Sequence, residues 1–444
     1  MIQNSDELAR TERHEAVLDS LEAGVDAAHP QTVIETAITL DGSVLNIDGD
    51  DYDLAAYDDL YVVGGGNAGG QVATALEAVL GDVITDGVVV TDDPAETERI
   101  TVVEGTHPLP SEANVSGTQR LLTVANQATA DDLVLVVISG GGSALMCAPT
   151  PEMSLEDYRD LTDQLLRSGA TIDEINAVRK HLSTFKGGQL ARTIAPATTV
   201  GLIFSDVVGN RLDVIASGPT APDTTTYDDC RAVIEEYGIE IPAGVEGVIQ
   251  DGVAGQRQET PGDGDAVFDT VTNHILADGR TALDAAADSL DAAGYDAVVL
   301  STQIEGEASD VGTVHTAIGA ECLESGSPFT PPVALLSGGE TTVTVEGDGH
   351  GGPNQEFALG AALNIDSRAL LVAGIDTDGI DGNSDVAGAV VDGTTVPADD
   401  TAHARTALRS NDAYSYLGTQ DCLIETGATG TNVNDLRIVL VEEL

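Results

Sequence analysis

The chain has 444 residues, with 75 Asp and Glu against 18 Lys and Arg, a net charge of −57 and a pI near 4.1. A field this negative excludes a phosphate backbone as partner. Four scattered cysteines (Cys147, Cys230, Cys322, Cys422) with no C-x-x-C pair argue against a zinc site or a disulfide scaffold.

The length predicts two domains. Hydrophobic content of 42% with only 3% aromatics predicts cores of Val, Ala, Leu and Ile, the composition of parallel α/β sheets. The acids are spread over most segments, so they read as adaptation to a salt-rich interior, where the Debye length falls to about 3 Å and self-repulsion is screened. The N-terminus is polar and no apolar run approaches the roughly 18 residues of a membrane span. The expectation is a soluble, cytoplasmic protein without a signal peptide.

Residues 5–28 have helical spacing (Leu8, Ala16, Leu18, Leu21, Ala23), with His29-Pro30 read as the stop. A short buried strand at Tyr61–Val63 runs into Gly64-Gly65-Gly66-Asn67-Ala68-Gly69-Gly70 and then a helix. Gly64, Gly66 and Gly69 satisfy G-x-G-x-x-G, and the next strand ends at Asp92-Asp93, where a dinucleotide fold places its ribose-binding acid. The same geometry is a general anion nest, so NAD and phosphate readings both stand. Leu133–Ile138 is a buried strand delivering Ser139-Gly140-Gly141-Gly142-Ser143. This loop is neither a Walker P-loop nor a nucleophile elbow. It is a second place for N–H groups and hydroxyls to meet an oxyanion, or simply a tight turn.

Asn176–Gly188 (NAVRKHLSTFKGG) holds Arg179 and the only two lysines, Lys180 and Lys186. In a chain that has dispensed with every other lysine, these read as anion ligands: a planar fork and two mobile point charges. The alternative is a helix end stabilised by ion pairs. A strand at Gly201–Phe204 ends in Ser205-Asp206, and ASGPT (216–220) closes a turn. Residues 238–268, rich in Gly, Pro and Asp, read as a boundary or surface excursion.

A βαβ rhythm resumes at 274–301. Val333–Leu336 feeds Ser337-Gly338-Gly339-Glu340, read as a loop echoing the earlier strand-SGG, and TTVTV (341–345) as a further strand. GDGHGGPNQEFAL leads into a helix. The strand at Ala369–Ile375 delivers Asp376, Asp378, Asp381 and Asp385, which do not match an EF-hand loop. A Mg²⁺ site and a salt-adapted acidic loop are both open.

The series VISGGGSAL, EINAVRKHLSTFKGGQLA, SDVVGNRLDVIASGPT, LLSGGETTVTV, GGPNQEFAL, DTDGIDGNSDVAGAVVD and TGATGTNVNDL, in this order along nearly the whole chain, resembles the glycerate 2-kinase family of the MOFRL type. The resemblance implies ATP- and Mg²⁺-dependent phosphorylation of D-glycerate to 2-phosphoglycerate. It implies two α/β domains: a Rossmann-like doubly wound sheet over 1–265, with 1–55 placed to pack on the second domain, and a smaller mixed MOFRL-like domain over 266–444. The active site is expected in a cleft between them. It is compatible with a homodimer, which no sequence feature demonstrates.

Catalysis is then expected of Lys186, Arg179, Asp206 and the position of Asn67. Substrate and nucleotide binding fall to Gly64, Gly65, Gly66, Ser139, Gly140, Gly141, Gly142, Ser143, Lys180, Ser337, Gly338, Gly339, Asn354 and Asn434. Metal binding falls to Glu340, Asp376, Asp378 and Asp381. Two positions depart from the family. Its G-K-A lysine falls on Asn67 and its G-G-R-N-Q-E arginine on Pro353, which removes two cations expected to stabilise phosphoryl transfer. An NAD(P)H-dependent hydroxypyruvate reductase and a non-catalytic metabolite-binding relative are the alternative readings.

Overall fold

Short alternating runs separated by two-residue turns make an antiparallel meander of β1 (Ile38–Asp41), β2 (Val44–Ile47) and β3 (Asp50–Asp53). Asp48 and Gly49, both at positive φ, form its second turn, the Asp-Gly pair such hairpins favour. The computed structural model describes residues 1–443. It separates two compact units, Val33–Leu276, and Met1–Thr32 with Ala277–Leu444. The division falls after Leu276 rather than at 265. The 238–268 stretch is not structureless: Val245, Val248, Ile249 and Gly252 recur at helical spacing and bury one face of the helix Ala243–Val253.

The unit Val33–Leu276 is built on a six-stranded sheet of β4 (Leu60–Gly65), β5 (Asp86–Thr91), β6 (Ile100–Glu104), β7 (Leu133–Ile138), β8 (Thr198–Phe204) and β9 (Val271–Ala277). Their order is β6-β5-β4-β7-β8-β9, and β6 through β8 pair in parallel. Every residue of β4 and β7 is buried, as strands covered on both faces require. The order reverses between β4 and β7, a topological switch point at which open α/β sheets bind ligands.

The other unit holds β10 (Asp296–Glu307), β11 (Val333–Thr342), β12 (Leu370–Asp376), β13 (Gly388–Asp392), β14 (Leu423–Ile424) and β15 (Asp435–Val441), in the order β10-β11-β15-β12-β13-β14. Only β10 and β11 are parallel; the other pairings are antiparallel. Two apolar clusters form its core. One includes Phe357, Leu359 and Val439; the other includes Leu21, Leu283 and Leu436.

The N-terminal segment joins this second cluster as two helices, Ser5–Leu8 and Glu12–Ala28. The helix ends at Ala28 as expected, with His29 extended as the residue before a proline prefers, and Pro30 opens a new helix, Pro30–Ala37, at a position where the missing N–H costs nothing. The expected strand at 341–345 is replaced by a longer β11. It runs through Ser337–Glu340 to Thr342, because β15 pairs with it as far as Gly339 and β10 as far as Thr342. Among the described residues no helix is long and apolar enough to cross a membrane.

Candidate active site

At the carboxyl ends of β4 and β7, the two glycine loops lie against each other. The Asn67 N–H donates to the Gly140 carbonyl at 2.8 Å, and the Ala68 N–H donates to Ser139 Oγ at 3.2 Å. Gly66 has a φ of 131°, and a Cβ there would sit 2.1 Å from Ser139 Oγ. Gly141, at φ 71°, faces the Asn67 side chain, whose Oδ1 would stand 1.9 Å from an added Cβ. Only glycine permits both the backbone conformation and the approach. Gly64, Gly65, Gly66, Ser139, Gly140, Gly141, Gly142 and Ser143 are therefore gathered at one place, with Asn67 between the loops. Asn67 Oδ1 is buried without a hydrogen-bond partner among the described residues.

Asp206 follows β8 and lies over the same loop: a side chain at Gly140 would run into its Oδ2 at 2.2 Å. Burial pushes its carboxyl up to about 6, within the range of a working base near neutral pH.

Lys186 is fully buried below the second loop. Its Nζ donates to the carbonyls of Ser143 (2.7 Å) and Met146 (3.3 Å). Burial pulls it down to about 7, the Cys147 side chain opposes that shift, and Arg179 adds to it. Lys180 is placed differently. It is buried in an ion pair with Asp223 at 3.1 Å, with Asp213 at 3.9 Å, and so holds the fold rather than a free anion. Two residues missed from the sequence complete this region. Ser217 hydrogen-bonds Ser143 Oγ (2.8 Å) and donates to Asn176 Oδ1 (3.0 Å). Asn176 lies inside the basic stretch and Ser217 inside the ASGPT turn, so both motifs were visible without their pairing.

In the other unit, Ser337, Gly338 and Gly339 are inside β11, not in a loop. Their backbone groups are used in the ladder to β15, and Ser337 donates to His315 Nε2 at 2.8 Å. His315 Nδ1 in turn donates to the Val311 carbonyl at 2.8 Å, which fixes the neutral tautomer that burial also favours. Glu340 is exposed on the same strand, opposite Glu305.

Asp381 is buried and accepts from the N–H groups of Asn354 and Gln355, both at 2.9 Å, closing the first turn of the helix Pro353–Ala362. Asn354 Nδ2 donates to Asp435 Oδ1 at 2.6 Å, and Asp435 pairs with the fully buried Arg437, whose guanidinium lies 5.4 Å from the Phe357 ring centre. Asn434, at φ 67°, turns its carbonyl to the Thr377 hydroxyl at 2.7 Å. Asp376 and Asp378 sit at the end of β12 with both carboxyls raised, first by burial and then by neighbouring carboxylates.

Among the described residues no three His, Cys, Asp or Glu side chains are arranged to hold a metal. Asp376 and Asp378 remain a fitting pair of hard oxygen donors, which is what Mg²⁺ takes from a protein when phosphate oxygens and water complete its octahedron.

A family model described as a domain of unknown function (DUF4147) matches residues 16–250, and the MOFRL family model matches residues 333–435. The chain is 40% identical to the glycerate 2-kinase of Pyrococcus horikoshii over 94% of each chain. It is 40% identical to the D-glycerate 2-kinase of Thermotoga maritima, covering 86% of this chain and 91% of the relative. A putative hydroxypyruvate reductase of Agrobacterium vitis matches at 40% over 86% of this chain and 98% of its own. The crystal structure of the Thermotoga maritima glycerate kinase superposes with a TM-score of 0.85 at 37% identity, covering 96% of this chain and 99% of that one.

Proposed function

The chain belongs to the glycerate 2-kinase family, and we propose that it moves the terminal phosphoryl group of ATP to the 2-hydroxyl of D-glycerate, giving 2-phosphoglycerate and ADP. The observation that carries this reading is the meeting of two glycine loops at the β4/β7 switch point with the Asp206 carboxyl against one of them. Glycine-lined N–H groups suit phosphate oxygens at Gly64–Gly70. In this reading Asp206 takes the proton of the attacking hydroxyl as its oxygen bonds to phosphorus and the ADP oxygen leaves. Mg²⁺, when bound, would supply charge neutralisation on the transferring group; within the unit that includes Ala277–Leu444, Asp376 and Asp378 are the carboxylate pair that would suit it.

Phosphoryl transfer depends on charge stabilisation, so Asn67 and Pro353 in place of the family's lysine and arginine lower the expected rate. Lys186 is the cation left beside this loop cluster.

The test is ³¹P NMR of the chain with ATP, Mg²⁺ and D-glycerate in about 2 M KCl, which screens the acidic surface. A 2-phosphoglycerate resonance growing with ADP is expected, and Asn67→Lys with Pro353→Arg should raise its rate. Folded protein that yields no phosphoglycerate in either form refutes the reading. The reductase named among the relatives would instead consume NADH with hydroxypyruvate in a parallel assay; no consumption is expected.

A further inference from the structure

Four polar groups lead to Ser143 from below the second glycine loop. Ser217, held at φ 61°, spends its hydroxyl proton on Asn176 Oδ1 and so accepts from Ser143. That chain fixes the Asn176 amide, which is 3% exposed, with Nδ2 buried and lacking any hydrogen-bond partner among the described residues. Arg179 follows one turn later on the same helix, Ile172–His181, and its buried Nε also lacks a partner. Lys186 donates to the Ser143 carbonyl.

Among the described residues neither Arg179 nor Lys186 is in an ion pair with a carboxylate. Lys180, between them in sequence, takes Asp223 and Asp213. The other titratable groups facing Lys186 and Cys147 are Arg159 and Tyr158, which supply no negative charge near neutrality. Buried donors without acceptors are costly and rare, and two cations without an anion in a chain of net charge −57 are rarer still.

We propose that Asn176 Nδ2 and Arg179 Nε, oriented by Ser217 and backed by Lys186, form the grip for the carboxylate of a short 2-hydroxy acid, apart from the loop that takes nucleotide phosphates. It rests on the kinase reading for the identity of the acid. A planar guanidinium and an amide one helical turn apart suit a two-oxygen carboxylate. The arriving negative charge also restores the proton of Lys186, so binding takes up a proton at mildly alkaline pH.

The experiment is calorimetric titration of the full chain in about 2 M KCl with D-glycerate, lactate and ATP separately, at pH about 8 in two buffers of different ionisation enthalpy. The wild type, Asn176→Asp and Arg179→Met are compared. The expected result is glycerate and lactate affinity reduced at least ~10-fold in both variants, ATP affinity within about 2-fold of wild type, and proton uptake on acid binding in the wild type. A far-UV circular dichroism spectrum and melting transition matching wild type show that the variants are folded.

Unchanged acid affinity in the variants overturns the grip, as does loss of ATP affinity with the acids unaffected, which would make this a phosphate site. Failure of both acids to bind the wild type also overturns it. Acid binding that the variants abolish, with no phosphoryl transfer by NMR, removes the kinase reading and keeps the grip. Transfer with unchanged acid binding does the reverse.

Discussion

Asp206 shows how one residue's environment sets both its use and its cost. Its pKa is raised from the unfolded value near 3.8 to about 6 by burial. A carboxyl raised on folding stabilises the native state below its unfolded pKa, and that contribution is lost as pH rises through the folded value. At pH 8 the native state therefore carries a buried charge that the unfolded chain would solvate. Asp206→Asn should raise stability at pH 8 by on the order of 1–2 kcal/mol once partial solvent exposure is allowed for, with little gain at pH 4, as denaturant unfolding at the two pH values would measure. The same substitution should abolish phosphoryl transfer, and the wild-type rate should fall on the acid side of pH about 6. A stabilised variant that keeps its activity would separate Asp206 from the chemistry.

Elements are held by close approaches that leave no room for larger residues. The helix Glu12–Ala28 packs along Gly279–Ala292, and Ser20 Oγ donates to the Ala286 carbonyl at 2.8 Å. At Gly24 an added Cβ would stand 2.8 Å from the Ala282 carbonyl oxygen and 2.7 Å from Leu436 Cδ2. Gly24→Val should therefore force the helices apart at a cost of about 1–3 kcal/mol, despite the better helix propensity of valine over glycine. Urea unfolding checks this, and a neutral or stabilising result would contradict the packing. Helical periodicity made the existence of this N-terminal helix readable in the sequence. Its partner, the helix Gly279–Ala292 far along the chain, was not readable, because an apolar stripe states only that something covers it.

At the scale of the molecule, charge is the dominant variable. Seventy-five acids spread over both units repel one another at any distance shorter than the Debye length, about 10 Å at 0.1 M salt and 3 Å at 1 M. The melting temperature should rise by roughly 5–10 °C or more between 0.1 and 2 M KCl, measured by circular dichroism. An equimolal sucrose control separates screening from solute exclusion. A flat profile would mean that the acids are already neutralised locally.

Much of the architecture was determined by sequence alone. A six-residue aliphatic run rich in Val and Ile and followed directly by glycines, such as Leu133–Ile138, favours a strand buried on both faces over a helix, so the α/β class and the two loops of the switch point were legible. The SGG of β11 looked the same but lies inside a strand, because neighbouring β10 and β15 decide whether a backbone is paired. Lys180 and Lys186 stand six positions apart in one motif, yet among the described residues one has two carboxylates within ion-pair reach and the other has none. Composition set which residues were scarce. Only the tertiary structure brought Asp223 to the first lysine and left the second facing Ser143, because electrostatic partnership is a matter of distance through space and not along the chain.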